Sequence, residues 1–249
     1  MQKGDRVRVK RILPSFSTPN ETHPGKRPEV SWTVGHFGVV TNYPGKGEVV
    51  TVAFPGHEEQ EHAYQFLEEE LDEFEQVTLV FQYGSNCLES QMNSQDRLCG
   101  DAKFISIADT VEDFELGFDV WATRRGCAAS DIVRKTGEKV WGVLYAVPNY
   151  LIGRETAAER GRKSFDALEG ESTNYKREII KVRLPNGDIV DALTYTVKVP
   201  QTGLRTNAEY AGYIIRGLRE HGVSQEYISK VKKLAITNNP GIATEIEKL

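Results

Sequence analysis

The chain reads as a mixed α+β protein preceded by a small all-β unit, and three observations lead there. Short alternating strands separated by Gly and Pro fill the first 75 residues. An apolar run, Val77-Thr78-Leu79-Val80-Phe81, closes on the turn Tyr83-Gly84-Ser85-Asn86. Helical spacing takes over near the end, with Tyr210, Ile214 and Leu218 on one face. At 249 residues the chain can bury a large core, and one or two domains are expected. The boundaries predicted are 1–75 for the first domain and 76–249 for the second.

In the first domain Gly4-Asp5-Arg6-Val7-Arg8-Val9 alternates as a strand. Gly35 to Val40 and Glu48 to Phe54 read as two more, with Gly/Pro turns between them. The polar stretch Pro14 to Pro28, with prolines at 14, 19, 24 and 28, reads as a mobile loop. A G-D-x-V opening followed by G-x-V-V resembles a small SH3-like barrel, a likeness of fold type that implies no activity. The acidic segment ending at Glu75 runs directly into Val77, so the linker is short and the two domains should touch.

The Val77–Phe81 run alternates too little for a surface strand and is predicted to be buried on both faces. Gly84 permits a sharp turn, and Ser85 and Asn86 are turn and cap formers able to open a helix. Such a turn presents free backbone N–H groups that suit a carboxylate, although taken alone it is an ordinary strand-to-helix connection. Asp113 to Phe118 and Lys139 to Ala146 read as strands, and Asn149 to Phe165 as mainly helical. Ile179 to Leu184 and Ile189 to Val199 read as a hairpin around Pro185-Asn186-Gly187-Asp188. Asn207 caps one terminal helix and Ser224 a second carrying Tyr227, Ile228 and Val231.

Charge and composition exclude some classes. Residues 1–76 hold 8 Lys and Arg against 13 Asp and Glu, whereas residues 77–249 balance at 23 against 23. The excess lies in Glu58-Glu59-Gln60-Glu61 and Glu68 to Glu75 and reads as a solvated acidic face. Such a face repels phosphate backbones, so nucleic acid is not expected as a partner. No apolar stretch approaches the ~20 residues of a membrane span, and no apolar signal core follows Met1. Cys87, Cys99 and Cys127 fit neither a disulfide framework nor a CxxC metal site, so a cytoplasmic setting is expected. His57 and His62 are five apart, the wrong spacing for a helical metal pair, and no metal site is expected. His23 and His36 read as loop and turn residues, and Trp32, Trp121 and Trp141 as core or domain-interface residues.

About eighty residues after the Tyr83-Gly84-Ser85-Asn86 turn comes Phe165-Asp166-Ala167-Leu168-Glu169-Gly170-Glu171. Between them lie Gly126-Cys127-Ala128 and Val140-Trp141-Gly142-Val143-Leu144-Tyr145; after them come Tyr210, Ile214, Gly217, Gly222 and Tyr227. In this order, from about Val77 to Leu234, these segments resemble the gamma-glutamylcyclotransferase-like family. That family is marked by a YGSN loop, a V-W-G strand and a downstream Glu in an E-G context. The resemblance implies a β-barrel with surrounding helices for the second domain.

It also implies a reaction: the α-amine of a γ-glutamyl amine or amino acid attacks its own γ-carbonyl, giving 5-oxoproline and the free amine. The nucleophile comes pre-positioned, so one buried carboxyl of raised pKa serves as acid and base, with no metal or cofactor. Glu169 matches the family's catalytic Glu, and Glu171 is its nearest rival. Tyr83, Gly84, Ser85, Asn86, Cys87 and Leu88 match the loop that holds the γ-glutamyl head. Tyr210 matches a pocket tyrosine and is equally readable as a core residue, while Tyr175 and Tyr195 are weaker pocket candidates. Cys87 replaces the usual apolar residue and is expected to tune the pocket rather than act as a nucleophile. The leaving group stays open: an amino acid, the lysine ε-amine or a tailored small molecule. The alternative is a non-catalytic ligand-binding or regulatory protein on the same fold, with the N-terminal barrel docking a protein partner or mediating oligomer formation. If the protein is an enzyme, that barrel is expected instead to cover the pocket mouth.

Overall fold

The computed structural model describes residues 6–9, 37–42, 44–53, 64–74, 76–159, 161–171 and 173–249. The chain divides into two compact units, Met1–Gln76 and Val77–Leu249. In the first, β1 (Arg6–Val9), β2 (Phe37–Asn42), β3 (Val49–Ala53), β4 (Tyr64–Leu67) and β5 (Leu71–Phe74) form one antiparallel sheet. Its order is β4-β3-β2-β1-β5. The period-two pattern puts Val7, Val9, Val50 and Val52 on a buried face with Val40, Phe66 and Leu71. The acidic run is less solvated than its composition predicts. Glu70 is fully buried and its carboxylate accepts the Leu67 N–H at 2.8 Å, while Leu71 opens a strand. Pro14–Pro28, Trp32, Glu58–Glu61 and the histidines at 23, 36, 57 and 62 lie outside the described residues.

The second unit begins with β6 (Val77–Gln82), a 3₁₀ turn at Ser85–Cys87 and the single-turn helix α1 (Glu89–Met92). Strands β7 (Lys103–Thr110), β8 (Phe114–Ala122), β9 (Cys127–Arg134) and β10 (Trp141–Pro148) follow. Two short helices, α2 (Arg154–Glu159) and α3 (Phe165–Glu169), lead into β11 (Tyr175–Arg183) and β12 (Ile189–Val197). The chain ends in α4 (Ala208–Glu220), α5 (Gln225–Asn238) and α6 (Ala243–Glu247). Strands β10-β6-β12-β11-β7 close into a barrel, and β8 and β9 pair as a separate antiparallel ribbon. The mixed barrel-and-helix architecture expected for this part of the chain is therefore present. No helix among the described residues is long and apolar enough to cross a membrane.

Three expectations need correction. β6 is buried only in its second half, and Val77 is 45% exposed, because it pairs only with Pro148 of β10, while β12 meets the strand at Val80. Asn149–Phe165 is interrupted: a 3₁₀ turn at Asn149–Leu151, then α2, then the start of α3. Trp121 is 42% exposed on the β8–β9 ribbon rather than in the core.

The Pro185–Asp188 hairpin turn forms as its residues dictate, with Gly187 at φ 91° and its N–H donating to Leu184 O. Asn207 and Ser224 cap α4 and α5 by accepting the N–H groups of Tyr210 and Tyr227.

Two glycines decide how closely the elements approach. On β10, a Cβ at Gly142 would lie 2.2 Å from Gln82 O and 2.8 Å from the Phe81 ring, so β10 can lie on β6 there only without a side chain. On α4, a Cβ at Gly217 would lie 2.2 Å from the Cys87 carbonyl carbon and 2.3 Å from Leu88 N. The helix thus rests its backbone on the loop that follows β6. Alanine at Gly212 of the same helix meets Leu249 at an ordinary 3.4 Å, and should gain up to the ~1 kcal/mol by which alanine exceeds glycine in helices. Gly217→Ala should instead lose about 1–3 kcal/mol through overpacking. Denaturant unfolding of the two variants tests this opposition of sign; equal gains would show that helix and loop separate without cost.

Candidate active site

The turn after β6 is built to leave groups unused. Gly84 is extended (φ −100°, ψ −150°) and its carbonyl accepts the Cys87 N–H at 3.0 Å; Ser85 O accepts Leu88 N–H at 3.3 Å. The N–H groups of Ser85 and Asn86 precede the first bond of the 3₁₀ turn and take no part in it. The Asn86 side-chain amide donates to Gln82 Oε1 at 3.0 Å and to Glu169 Oε1 at 2.6 Å. Asn86 is 3% exposed, and its own Oδ1 has no partner among the described residues.

Glu169 is the last residue of α3. Ser164 caps that helix by accepting Ala167 N–H, and Gly170 ends it at φ 66°, the left-handed conformation that glycine adopts without strain. Asp166, buried one turn earlier, fastens α3 to the barrel. Its carboxylate accepts Arg177 Nε at 2.5 Å, Arg177 Nη2, and the Tyr195 hydroxyl at 2.8 Å. The Glu169 side chain is 17% exposed, and Arg97 Nη2 donates to the same Oε1 at 3.0 Å. No hydrogen bond from a described residue reaches Oε2. Burial pushes the Glu169 carboxyl above its ordinary range, opposed by Arg97, by the Asn86 bond and by Arg125.

The tyrosines divide by what their protons do. Tyr83 donates to Tyr195 O at 2.5 Å and Tyr175 donates to Ser130 O at 2.7 Å, so both bind barrel or ribbon backbone. Tyr210 differs: its hydroxyl accepts the Ser130 N–H at 3.0 Å and lies 3.0 Å from Ser130 Oγ. A Cβ at Gly84 would come within 2.5 Å of Ser130 Oγ and 3.5 Å of the Tyr210 hydroxyl. Gly84 is therefore required by the closeness of the β9 and α4 side chains, since its φ is one any residue adopts.

The structure thus joins Asn86 to Glu169 and sets Gly84 beside Tyr210, with Tyr83, Tyr175 and Tyr210 all near enough to Glu169 to feel its charge. The Ser85 hydroxyl makes no hydrogen bond to a described residue. Cys87 turns its thiol to Gln82 O at 3.1 Å, fully buried, and burial pushes its pKa up, as befits an inert packing residue. Its carbonyl and the Leu88 N–H face Gly217. Glu171 does not join Glu169; its N–H closes the helix end on Asp166 O.

Sequence reasoning missed Gln82, Arg97, Ser130 and Asp131. Asp131 carried a signal, a lone acid in the apolar run Cys127–Val133. It is fully buried, accepts the Asp119 N–H at 2.9 Å through Oδ1, and has no partner for Oδ2 among the described residues. Among the described residues one group has metal-ligand spacing: Glu89, Glu220 and His221, with ligand atoms within 4.8 Å of one another. It shares no residue with the Glu169 cluster.

A family model described as gamma-glutamyl cyclotransferase, AIG2-like, matches residues 80–213. No curated protein matches in sequence. Among solved structures, one described as gamma-glutamyl cyclotransferase is 23% identical, with a TM-score of 0.55, covering 70% of this chain and 97% of its own. The human protein loc79017 is 24% identical over 69% of this chain and 96% of its own, at TM-score 0.55. YkqA from Bacillus subtilis is 15% identical over 94% and 89%, at TM-score 0.53. At these identities the likeness is one of fold.

Burial first, and then the neighbouring Asp119 carboxylate, push Asp131 up to about 6 from 3.8, against the pull of the Asp119 N–H bond. Because the folded pKa is raised, the stabilising contribution is complete below pH 4 and is lost as pH rises through 6. Asp131→Asn keeps an acceptor for the Asp119 N–H but cannot ionise. Between pH 4 and pH 8 the wild type should lose about 3 kcal/mol relative to this variant. Urea unfolding at both pH values checks it; a gap that does not change with pH would mean that Asp131 ionises without penalty.

Proposed function

The chain belongs to the gamma-glutamyl cyclotransferase, AIG2-like family, and we propose that it is an active member, converting a γ-glutamyl amine or amino acid to 5-oxoproline and the free amine. The observation that carries this reading is the largely buried Glu169 carboxyl, tethered at Oε1 by Asn86 and Arg97, with no hydrogen bond to Oε2 from a described residue.

In this reading the substrate α-nitrogen attacks its own γ-carbonyl carbon, the new C–N bond closes a five-membered ring, and the C–N bond to the leaving group breaks. The α-nitrogen gives up two protons in passing from ammonium to lactam, and the leaving nitrogen gains two in passing from amide to ammonium. One carboxyl that relays them in turn keeps the balance, and a pKa raised toward neutrality suits both directions. Asn86 Oδ1, buried and without a partner among the described residues, suits the α-ammonium as an acceptor. The Ser85 and Asn86 N–H groups suit the α-carboxylate. Because Tyr210 accepts the Ser130 N–H, its own proton is available to Ser130 Oγ or to a substrate oxygen. Ring closure of this kind requires no cofactor. For residues 1–75 the SH3-like reading, and a role in docking a protein partner or a second copy, remain our proposals from the sequence pattern.

Incubation with a panel of γ-glutamyl compounds should release 5-oxoproline, and Glu169→Gln should cut the rate at least ~10²-fold with an unchanged unfolding midpoint. Glu171→Gln should stay near wild type. Wild-type protein that binds these compounds without cyclising them would instead favour a ligand-binding role.

Arg97 favours the ionised form of Glu169, so Arg97→Gln should raise its pKa further. The acid limb of kcat/KM then moves to higher pH, and activity near pH 6 falls more than activity near pH 8. An acid limb that stays in place would count against Glu169 as the titrating base.

A further inference from the structure

We propose that Gln82 is a positioning residue: it holds the Asn86 side-chain amide one way round while Glu169 gains and loses its proton, so that Asn86 Oδ1 stays free for the substrate amine. The kinetic consequence rests on the cyclotransferase reading above; the control of orientation does not.

Gln82 closes β6 and is 5% exposed. Its Nε2 donates to Phe81 O at 3.2 Å, and its Oε1 accepts from the Asn86 amide nitrogen at 3.0 Å. The same nitrogen donates to Glu169 Oε1 at 2.6 Å, one hydrogen for each acceptor. These groups form a chain of one polarity that starts at a backbone carbonyl. Phe81 O cannot turn, because Phe81 pairs opposite Leu144 of β10 and its carbonyl also accepts the Thr194 hydroxyl at 3.0 Å. A Gln82 amide turned over would set Oε1 against that carbonyl, two buried acceptors facing each other at the cost of a lost hydrogen bond. Gln82 is therefore fixed in direction, and its Oε1 demands a donor from Asn86.

Ionised Glu169 makes the same demand, but the protonated acid does not. Once Glu169 carries a proton its O–H is itself a donor, and an Asn86 amide turned over would offer Oδ1 to it. That arrangement would hold the proton between Glu169 and Asn86 and remove the acceptor intended for the substrate nitrogen. Gln82 opposes it, because the turned Oδ1 would also face Gln82 Oε1. Asn86 Oδ1, which has no partner among the described residues, is thus kept away from the carboxyl in both protonation states.

The first measurement uses the wild-type full chain. In ¹⁵N-labelled protein the two Asn86 side-chain amide protons are followed by NMR across the Glu169 titration. The proton on Glu169 should move with pH, and the proton on Gln82 should hold its shift. Two protons that move together mean that the amide turns over, which overturns the proposal. The second measurement uses Gln82→Met, which removes both bonding groups from a side chain of similar length. The turned amide then becomes a partner for the protonated acid, so the ¹³C carboxyl midpoint of Glu169 should rise by roughly half a pH unit to one unit, the worth of one hydrogen bond. With Asn86→Leu already in place the same substitution should move the midpoint no further; an equal rise there would mean that Gln82 acts on Glu169 directly, and would also overturn it. In turnover of γ-glutamyl-alanine, Gln82→Met should lower kcat about tenfold and change KM by less than about threefold. An unchanged kcat and an unchanged midpoint would reduce Gln82 to a packing residue. If wild type releases no 5-oxoproline, the cyclotransferase reading fails, and the two NMR measurements alone decide the control of Asn86.

Discussion

A carboxyl group that leaves water must find hydrogen-bond donors, and Glu169 takes its donors from segments far away in sequence. Asn86 lies 83 residues earlier and Arg97 lies 72 residues earlier, yet both reach the same oxygen. Without them the group would be a desolvated charge at the end of a short helix, a costly arrangement. With them it is held in place and kept partly ionisable, which is the state a proton shuttle needs. The remaining architecture brings these three side chains together.

Two mechanical devices do so. On the Glu169 side, Asp166 fastens α3 to β11 through Arg177 and to β12 through Tyr195, fixing the helix whose last residue is the acid. On the Asn86 side, Gly217 lets α4 rest directly on the Cys87–Leu88 peptide, and Gly142 lets β10 lie against the end of β6. The loop is thus pressed between helix and barrel. Its conformation is set by packing from both sides more than by its own turn residues, and Tyr83 adds a buried tie to Tyr195 O.

Much of this was legible in the sequence, but unevenly. Local chemistry announced itself: the caps at Asn207 and Ser224, the Pro185–Asp188 turn, and the apolar face of α4 each depend on residues within a few positions. The pairing of Tyr83–Leu88 with Glu169 was legible only as an ordered set of motifs. Arg97 was not legible at all, because in Ser94-Gln95-Asp96-Arg97 an arginine reads as a surface residue, and only the fold shows its side chain 13% exposed. β7 was missed because adjacent Phe104 and Ile105 break the alternation; both are exposed on a barrel strand paired to β10. That Glu169 ends a helix was not legible, because five residues are too few for helical periodicity to show. Asp131 shows the reverse case, a signal present in the sequence as an acid in an apolar strand but not read.

The central claim is that Glu169 is a desolvated carboxyl whose proton affinity is raised by burial and restrained by Arg97. Its side-chain carboxyl carbon can be followed by NMR across pH in ¹³C-labelled protein and assigned by comparison with Glu169→Gln. The account predicts a midpoint above the ordinary 4.5 in the free protein. A midpoint at or below that value would mean that Arg97 and Asn86 outweigh burial, leaving Glu169 a structural ion-pair partner and not the proton shuttle.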